Sequence, residues 1–351
     1  MMSIQNLLRE NIRKLKPYSS ARDEFTGDAI LFLDANENSA DWVTGRGFNR
    51  YPDPHQRAVK RAIAEFRGLS SEQIFLGNGS DEAIDLLIRA FCEPGKEQIL
   101  ISDPSYGMYA VAAAVNDVET VKIPLKKDFQ LDLLAMESAF THRTKILFLC
   151  SPNNPSGNLL KKSDIFQLME IFSGLTILDE AYIDFAAGAS FLPELKKFPK
   201  LVILQTFSKA WGLAGLRAGM AFANPEIIAI LEKIKHPYNM NSHTQKLLLQ
   251  ALNEKNRFEK FTALIIKERE KLKAELKNLP IVEKIYPSDA NFLLVKFTNA
   301  ATVFQKLLNM GIVVRDRSGQ THCQNCLRLT VGSPNENEIL IKNLQKIASI
   351  K

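Results

Sequence analysis

The sequence is poor in several features that would each fix a class. It has four cysteines in 351 residues, too few and too scattered for a disulfide framework. Cys323 and Cys326 form a C-x-x-C beside His322, but a zinc site needs four ligands and Cys92 and Cys150 lie in unrelated segments. The pair reads as a coincidence at a strand start, and no metal is expected. No apolar run approaches the roughly 20 residues that span a bilayer. The N-terminal Met1-Met2-Ser3-Ile4-Gln5-Asn6 lacks the apolar region of a signal peptide, so a cytoplasmic protein without a membrane partner is expected. Lysine and arginine outnumber acidic residues, 45 to 39, for a net charge of +6. They are spread along helices with no basic stripe interleaved with aromatics, so no nucleic-acid partner is expected. No G-x-G-x-x-G follows a first strand into a helix, which argues against a dinucleotide-binding dehydrogenase.

What the chain does contain is alternation. Short apolar runs at 74–76, 99–101, 146–149, 176–178 and 201–204 read as strands buried on both faces. Between them, Ile84, Leu87, Ile88 and Phe91, and then Ile165, Leu168, Met169 and Phe172, recur at helical spacing. This pattern predicts an α/β unit with a mostly parallel sheet flanked by helices. Beyond about residue 240 the pattern changes. A long helix is expected from about Phe258 to Leu279 and stopped by Pro280. Strands are expected over 291–297, 312–315 and 327–331, then a closing helix over 335–350. The expected division is an N-terminal arm at 1–28 that packs on the rest, a large α/β unit at 29–239 and a smaller α+β unit at 240–351.

In an open α/β sheet, ligands bind outside the carboxyl ends of the strands, and four segments place reactive side chains there. "FLGNGSDEAIDLLIRAF" is a strand, a glycine-bearing turn and a helix whose first-turn amides favour an anion, with Ser80 as the expected N-cap. "LFLCSPNNPSG" ends a strand in an Asn153-Asn154 turn fixed by two prolines. "TILDEAYIDF" ends a buried strand in Asp179, a carboxylate that is costly there unless paired, with Tyr182 three residues on. "FSKAWGLAGLRAG" adds Lys209, Ser208 and Arg217. A desolvated lysine has a lowered pKa and forms a Schiff base with an aldehyde, while serine and arginine bind phosphate. One cofactor satisfies all four segments: pyridoxal 5′-phosphate. Lys209 meets its aldehyde, Asp179 its ring nitrogen, Asn154 and Tyr182 its ring hydroxyl, and Ser80, Ser208 and Arg217 its phosphate.

In residue type, order and spacing, these segments resemble the fold type I pyridoxal-phosphate aminotransferases over nearly the whole chain. "LKPYSSARDE", "LDANENS", "NRYPDPHQ", "GIVVRDRS" and "CLRLTVGSPNENE" look like the histidinol-phosphate branch of that family. The resemblance implies Lys209, Asp179 and Tyr182 as catalytic residues, and Gly79, Ser80, Asp81, Asn154, Ser208 and Arg217 around the cofactor. It also implies Tyr106 as the aromatic stacked on the pyridine ring. Tyr51 is implied to reach the cofactor of a partner subunit, hence a homodimer with shared active sites. Arg328 is implied to grip a substrate carboxylate, Arg315 and Tyr18 a substrate phosphate, and Asn36 and Glu37 to sit in an active-site loop. Two small departures, Ser156 where threonine is common and Ser39 where proline often follows "ANEN", remove no group that the chemistry needs.

The activity implied is transamination between L-histidinol phosphate and 2-oxoglutarate, giving imidazole-acetol phosphate and L-glutamate, as in histidine biosynthesis. An aromatic amino-acid aminotransferase and a threonine-phosphate decarboxylase share the scaffold and remain open on sequence. An aminotransferase-like regulatory protein is disfavoured, because only about 25 residues precede "ILFLDANEN" and a DNA-binding unit would be expected there.

Overall fold

The computed structural model describes residues 3–19 and 30–349; residues 1–2 and 20–28 of the expected arm, residue 29, and residues 350–351 lie outside the described residues. Seven strands form the larger sheet: β1 (Ile74–Gly77), β2 (Gln98–Asp103), β3 (Glu119–Pro124), β4 (Thr144–Cys150), β5 (Leu175–Asp179), β6 (Leu201–Thr206) and β7 (Gly219–Ala223). Their spatial order is β1-β7-β6-β5-β4-β2-β3. The pairs β2–β3, β2–β4, β4–β5 and β5–β6 are parallel, and β7 lies antiparallel between β1 and β6.

Successive residues of these strands feed two different cores, as the two-residue period of a strand requires. Leu147, Leu149, Leu178 and Ile203 join one buried cluster, whereas Ile146, Phe148, Ile177, Val202 and Leu204 join the other. Both faces are therefore covered, which is why the strands read as continuous apolar runs. Each fully buried large side chain contributes roughly 1.5–3 kcal/mol. The five expected strands are present. Two others escaped the pattern: β3 is a half-exposed edge with Glu119 and Lys122 among its residues, and β7 is Gly-Met-Ala-Phe-Ala, mostly small residues of low strand propensity.

A second, antiparallel sheet has the order β10-β11-β9-β8, from β8 (Val282–Ile285), β9 (Phe292–Phe297), β10 (Arg315–Asp316) and β11 (Cys326–Thr330). Helices Lys255–Lys277, Ala300–Asn309 and Pro334–Ser349 cover it, burying Leu272, Leu276, Leu293, Val295, Leu327 and Leu344 in a third core. The long helix starts about one turn before its expected position. The strand expected over 312–315 contracts to Arg315–Asp316. Gly311 turns the chain at φ 76° and Ile312 donates its N–H back to the Leu307 carbonyl at 2.9 Å, so 312–314 wrap the preceding helix end instead of pairing.

The carboxyl ends of β4, β5 and β6 meet at one edge of the large sheet, where Cys150 is the register partner of Asp179. Helix Ser80–Phe91 starts beside them. Its packing depends on Gly219, which pairs with Gly77 on one side and Thr206 on the other. A Cβ on Gly219 would collide with the backbone of Gly79 and Ser80. Backbone cannot yield as a side-chain tip does, so Gly219→Ala is expected to destabilise the protein by about 1–3 kcal/mol, read by chemical denaturation. Unchanged stability would show that the turn before the helix has room to move.

Candidate active site

Asp179 ends β5 with its side chain almost wholly buried. Its Oδ2 accepts the Tyr109 hydroxyl at 2.6 Å and its Oδ1 accepts the Ala181 N–H at 3.0 Å. Burial nevertheless wins over these two donors and pushes the carboxyl up to about 6. Tyr109 is fixed in turn: fully buried, it stacks on Phe148 at 4.7 Å and meets Tyr106 edge-on at 5.5 Å. The adjacent Glu180 faces away, accepting the Phe191 N–H, the Ser190 hydroxyl and the Gln205 amide at 2.7, 2.7 and 2.9 Å. Burial pushes it up to about 7. Two neighbouring carboxyls thus serve opposite sides of the strand, one opening to the cavity and one tying down the chain around it.

The lysine segment leaves β6 at Thr206. The Phe207 N–H donates to the Ala218 carbonyl at 3.1 Å and the Leu213 N–H to the Phe207 carbonyl at 3.0 Å, closing a tight excursion that presents Lys209. Lys209 opens onto the cavity mouth with Nζ 5.6 Å from the Tyr182 ring centroid. Desolvation, then the charges of Arg328 and Arg217, pull its ammonium below the ordinary lysine range against the opposing pull of Asp179 and Asp81. Arg217 ends the segment in the left-handed region at φ 50°, with Nη1 3.5 Å from the Ser208 hydroxyl and Nη2 3.6 Å from Asp81 Oδ2. A Cβ on Gly79 would lie 2.8 Å from Arg217 Nη2, so only glycine allows the guanidinium to lie against that turn. Asp81 also accepts the Tyr106 hydroxyl at 3.1 Å.

Ser80 differs from its expected role. The helix begins at Ser80 itself, Gly79 occupies the cap position at φ 79°, and no side chain caps it. Glu82 reaches back to the Asn78 N–H at 2.5 Å instead, so the serine hydroxyl is spared from capping.

The asparagine turn connects this floor to the smaller sheet. Asn154 Oδ1 accepts Arg328 Nη1 at 2.6 Å. Arg328 lies 5.2 Å from the Phe292 ring centroid, and Phe292 meets Tyr182 edge-on at 5.1 Å. Burial pushes the Tyr182 hydroxyl well above its ordinary value. The Asp289 N–H donates to the Gly157 carbonyl at 2.7 Å and the Asp289 carboxylate accepts the Leu159 N–H at 3.0 Å.

One cavity of about 140 Å³ brings together Gly79, Ser80, Asp81, Tyr106, Asn154, Asp179, Tyr182, Ser208, Lys209 and Arg217, every expected cofactor-binding residue except Tyr51. The others lie elsewhere in the single chain. Asn36, Glu37 and Tyr51 line a second cavity of about 830 Å³, where Tyr51 stacks on Tyr238 at 4.3 Å and Glu37 accepts the Arg50 guanidinium at 2.8 Å. Tyr18 is exposed and lines a third, with Pro54 and Lys60. Arg315 and Arg328 line a fourth, of about 570 Å³. Sequence reasoning missed Tyr109 and Cys150. Tyr109 follows Tyr106 by three residues in "SYGMY", one helical turn, and that spacing was the available signal. Cys150 sits beside Asp179 only through strand register, which no local pattern reveals. Among the described residues all four cysteines are free and buried, and no group of ligands suited to a metal occurs.

Residues 24–344 match the family described as aminotransferase class I and II. The chain is 51% identical over 347 residues to the histidinol-phosphate aminotransferase of Parabacteroides distasonis, covering 99% of each. Among solved structures it resembles the histidinol-phosphate aminotransferase of Clostridium acetobutylicum, with a TM-score of 0.79, 26% identity and coverage of 85% of this chain and 90% of that one. The same fold occurs in the Sinorhizobium meliloti histidinol-phosphate aminotransferase solved in complex with pyridoxal-5′-phosphate, with a TM-score of 0.76, 23% identity and coverage of 85% and 83%. A family match over most of the chain and a relative with half of its residues identical lead to one conclusion: the chain belongs to the class I and II aminotransferases.

Proposed function

We propose that the protein is a pyridoxal-phosphate-dependent transaminase that moves an amino group between L-histidinol phosphate and 2-oxoglutarate. One observation carries this reading: a single cavity holds a lowered-pKa lysine, a buried carboxylate and a serine–arginine pair at separate stations. The donor set fits the cofactor. A ring nitrogen that must stay protonated calls for a buried anion, and Asp179, raised toward neutrality by desolvation, is stabilised by such a partner. A phosphate calls for a guanidinium, hydroxyls and free helix amides, and Arg217, Ser80, Ser208 and the start of helix Ser80–Phe91 supply them.

When bound, pyridoxal phosphate supplies an electron sink for the negative charge that develops at the substrate α-carbon. Everything else falls to the chain. Lys209 Nζ takes the proton from that carbon and returns one, and desolvation, which pulls its ammonium below the ordinary lysine range, favours the neutral amine that this step needs. Asp179, oriented by Tyr109 and Ala181, holds the ring nitrogen protonated. Asn154 and Tyr182 bind the ring hydroxyl and Tyr106 covers the ring face. Arg328, Arg315 and Tyr18 meet the donor's anionic group, and Asn36 and Glu37 belong to the loop that completes the site.

Tyr51 completes the site from a second copy of the chain, which makes the protein a homodimer. Its place in a cavity other than that of Lys209 within one chain supports this, as do Leu31, Leu33, Trp42 and Val43, all exposed in the same segment. The large unit spans 29–239, the smaller unit 240–351, and residues 1–28 form the arm. The protein acts in the cytoplasm on small molecules, with no membrane or nucleic-acid partner. No helix among the described residues is long and apolar enough to cross a membrane.

Lys209→Ala is expected to lose more than about 10⁴-fold in turnover, since it removes the general base and the cofactor's anchor together. The check is a coupled assay for glutamate formed from histidinol phosphate and 2-oxoglutarate, and turnover near the wild-type rate rejects the reading. Asp179→Asn should bind the cofactor more weakly at pH 7.5. Asp179 is ionised above about 6 and protonated below it, so the wild-type advantage should shrink by about tenfold per pH unit once pH falls below that value. Cofactor titrations of both proteins from pH 5 to 8 measure the gap, and a gap independent of pH leaves Asp179 a structural role only. Tyr51→Phe should retain the cofactor less well at an unchanged melting temperature. An active monomer in sedimentation would contradict the shared site.

A further inference from the structure

Arg315 and Arg328 belong to a larger group. Arg315 is the register partner of Arg328 across β10 and β11, and directly opposed residues of an antiparallel pair share one face. Arg317 extends the same ladder by donating its N–H to the Cys326 carbonyl at 2.9 Å. It stands two residues from Arg315, so it shares that face as well. Three guanidinium groups are therefore gathered on one side of a short ribbon at the edge of the smaller sheet.

Like charges placed opposite one another on a sheet destabilise it. Among the described residues no carboxylate forms an ion pair with Arg315, Arg317 or Arg328. Arg328 is held by the neutral Asn154 amide at 2.6 Å and by the face of Phe292. Arg317 Nε is enclosed by protein and has no hydrogen-bond partner. The charges that act most on Arg317 are those of Arg328, Arg315, Tyr182 and Cys323. Partial burial and the two neighbouring arginines pull its guanidinium below the ordinary arginine value. Tyr182, one of the groups whose charge acts on Arg317, also lines the Lys209 cavity.

We propose that Arg317 is a third anion-binding arginine of the donor site, and that the trio selects a phosphate monoester over a carboxylate. This rests on the transaminase reading above and adds the residue that sets its donor class. A phosphate monoester carries about −1.5 to −2 charges near neutral pH and three strong acceptor oxygens, whereas a carboxylate carries one charge and two oxygens. Three guanidinium groups, with the buried Arg317 Nε left unpaired, match the first better than the second. Glutamate needs only Arg328 and one neighbour, so the site accepts it without being matched to it.

The test uses the holoenzyme, whose own cofactor phosphate is already held at Arg217. Arg317→Ala, with Arg317→Lys and Arg317→Gln beside it, is assayed with histidinol phosphate and with glutamate as donors, and with inorganic phosphate as a competitor of glutamate. Arg317→Ala should lower kcat/KM for histidinol phosphate about ten- to a hundred-fold, chiefly through KM, and lower that for glutamate less. The inhibition constant of inorganic phosphate should rise about tenfold, with Arg317→Lys between the alanine variant and the wild type. If the alanine variant does not fold, the glutamine variant reads the same two ratios. An unchanged donor ratio with an unchanged phosphate inhibition constant in any folded variant overturns the proposal, as does an equal loss for both donors. Should the wild type ignore histidinol phosphate while inorganic phosphate still competes in an Arg317-dependent way, the donor assignment fails and the arginine site stands.

Discussion

The site is organised around one unfavourable placement, a carboxylate at the buried end of a strand. Asp179 has lost most of its water, and two hydrogen bonds do not fully restore what it lost, so its carboxyl titrates near 6. That imbalance makes a cationic ligand favourable there, and the surrounding structure maintains it. Phe148 and Tyr106 hold the Tyr109 ring, and parallel pairing of β4 with β5 sets Cys150 beside Asp179. Replacing any of these by a group that lets water in would relieve the carboxylate and weaken the reason for a cation to bind.

Lys209 illustrates the complementary device. Its ammonium is depressed by desolvation and by arginines, while Asp179 and Asp81 hold it up. Its neutral amine is thereby favoured relative to that of a surface lysine. Holding it there requires the excursion between β6 and β7, and that excursion requires β7 to sit antiparallel in an otherwise parallel neighbourhood.

Much of this was legible in the sequence. The strands buried on both faces could be read because a short, continuous apolar run between helical repeats needs cover on both sides, which a helix-flanked parallel sheet provides. The ends of those runs carried the reactive residues, so Asp179, Asn154 and Lys209 could be located before their geometry was known. What resisted reading has physical causes. β7 is built largely from small residues whose strand character comes from its neighbours, not from itself. Ser80 resembles a helix cap, but Gly79 takes that position through a backbone conformation that serine disfavours. Arg317 sits in plain view beside Arg315, yet its place on the shared face depends on a cross-strand register that sequence spacing alone does not encode. Tyr18, Asn36, Glu37 and Tyr51 came from resemblance to a family, and within one chain they line cavities of their own.

The bonds that join the asparagine turn to the smaller sheet have a mechanical meaning. Asp289 grips the backbone at Gly157 and Leu159, a Cβ on Gly157 would strike Ser288, and Arg328 holds the Asn154 side chain. The turn follows β4 of the larger sheet, yet it is riveted to β11 and to the segment that leads into β9 of the smaller one. A rotation of the smaller sheet that kept these bonds would drag residues 154–159 along and shift Asn154 relative to Asp179 and Lys209. Docking of a substrate on the arginine ribbon would then be felt at the catalytic floor as a displacement of one amide.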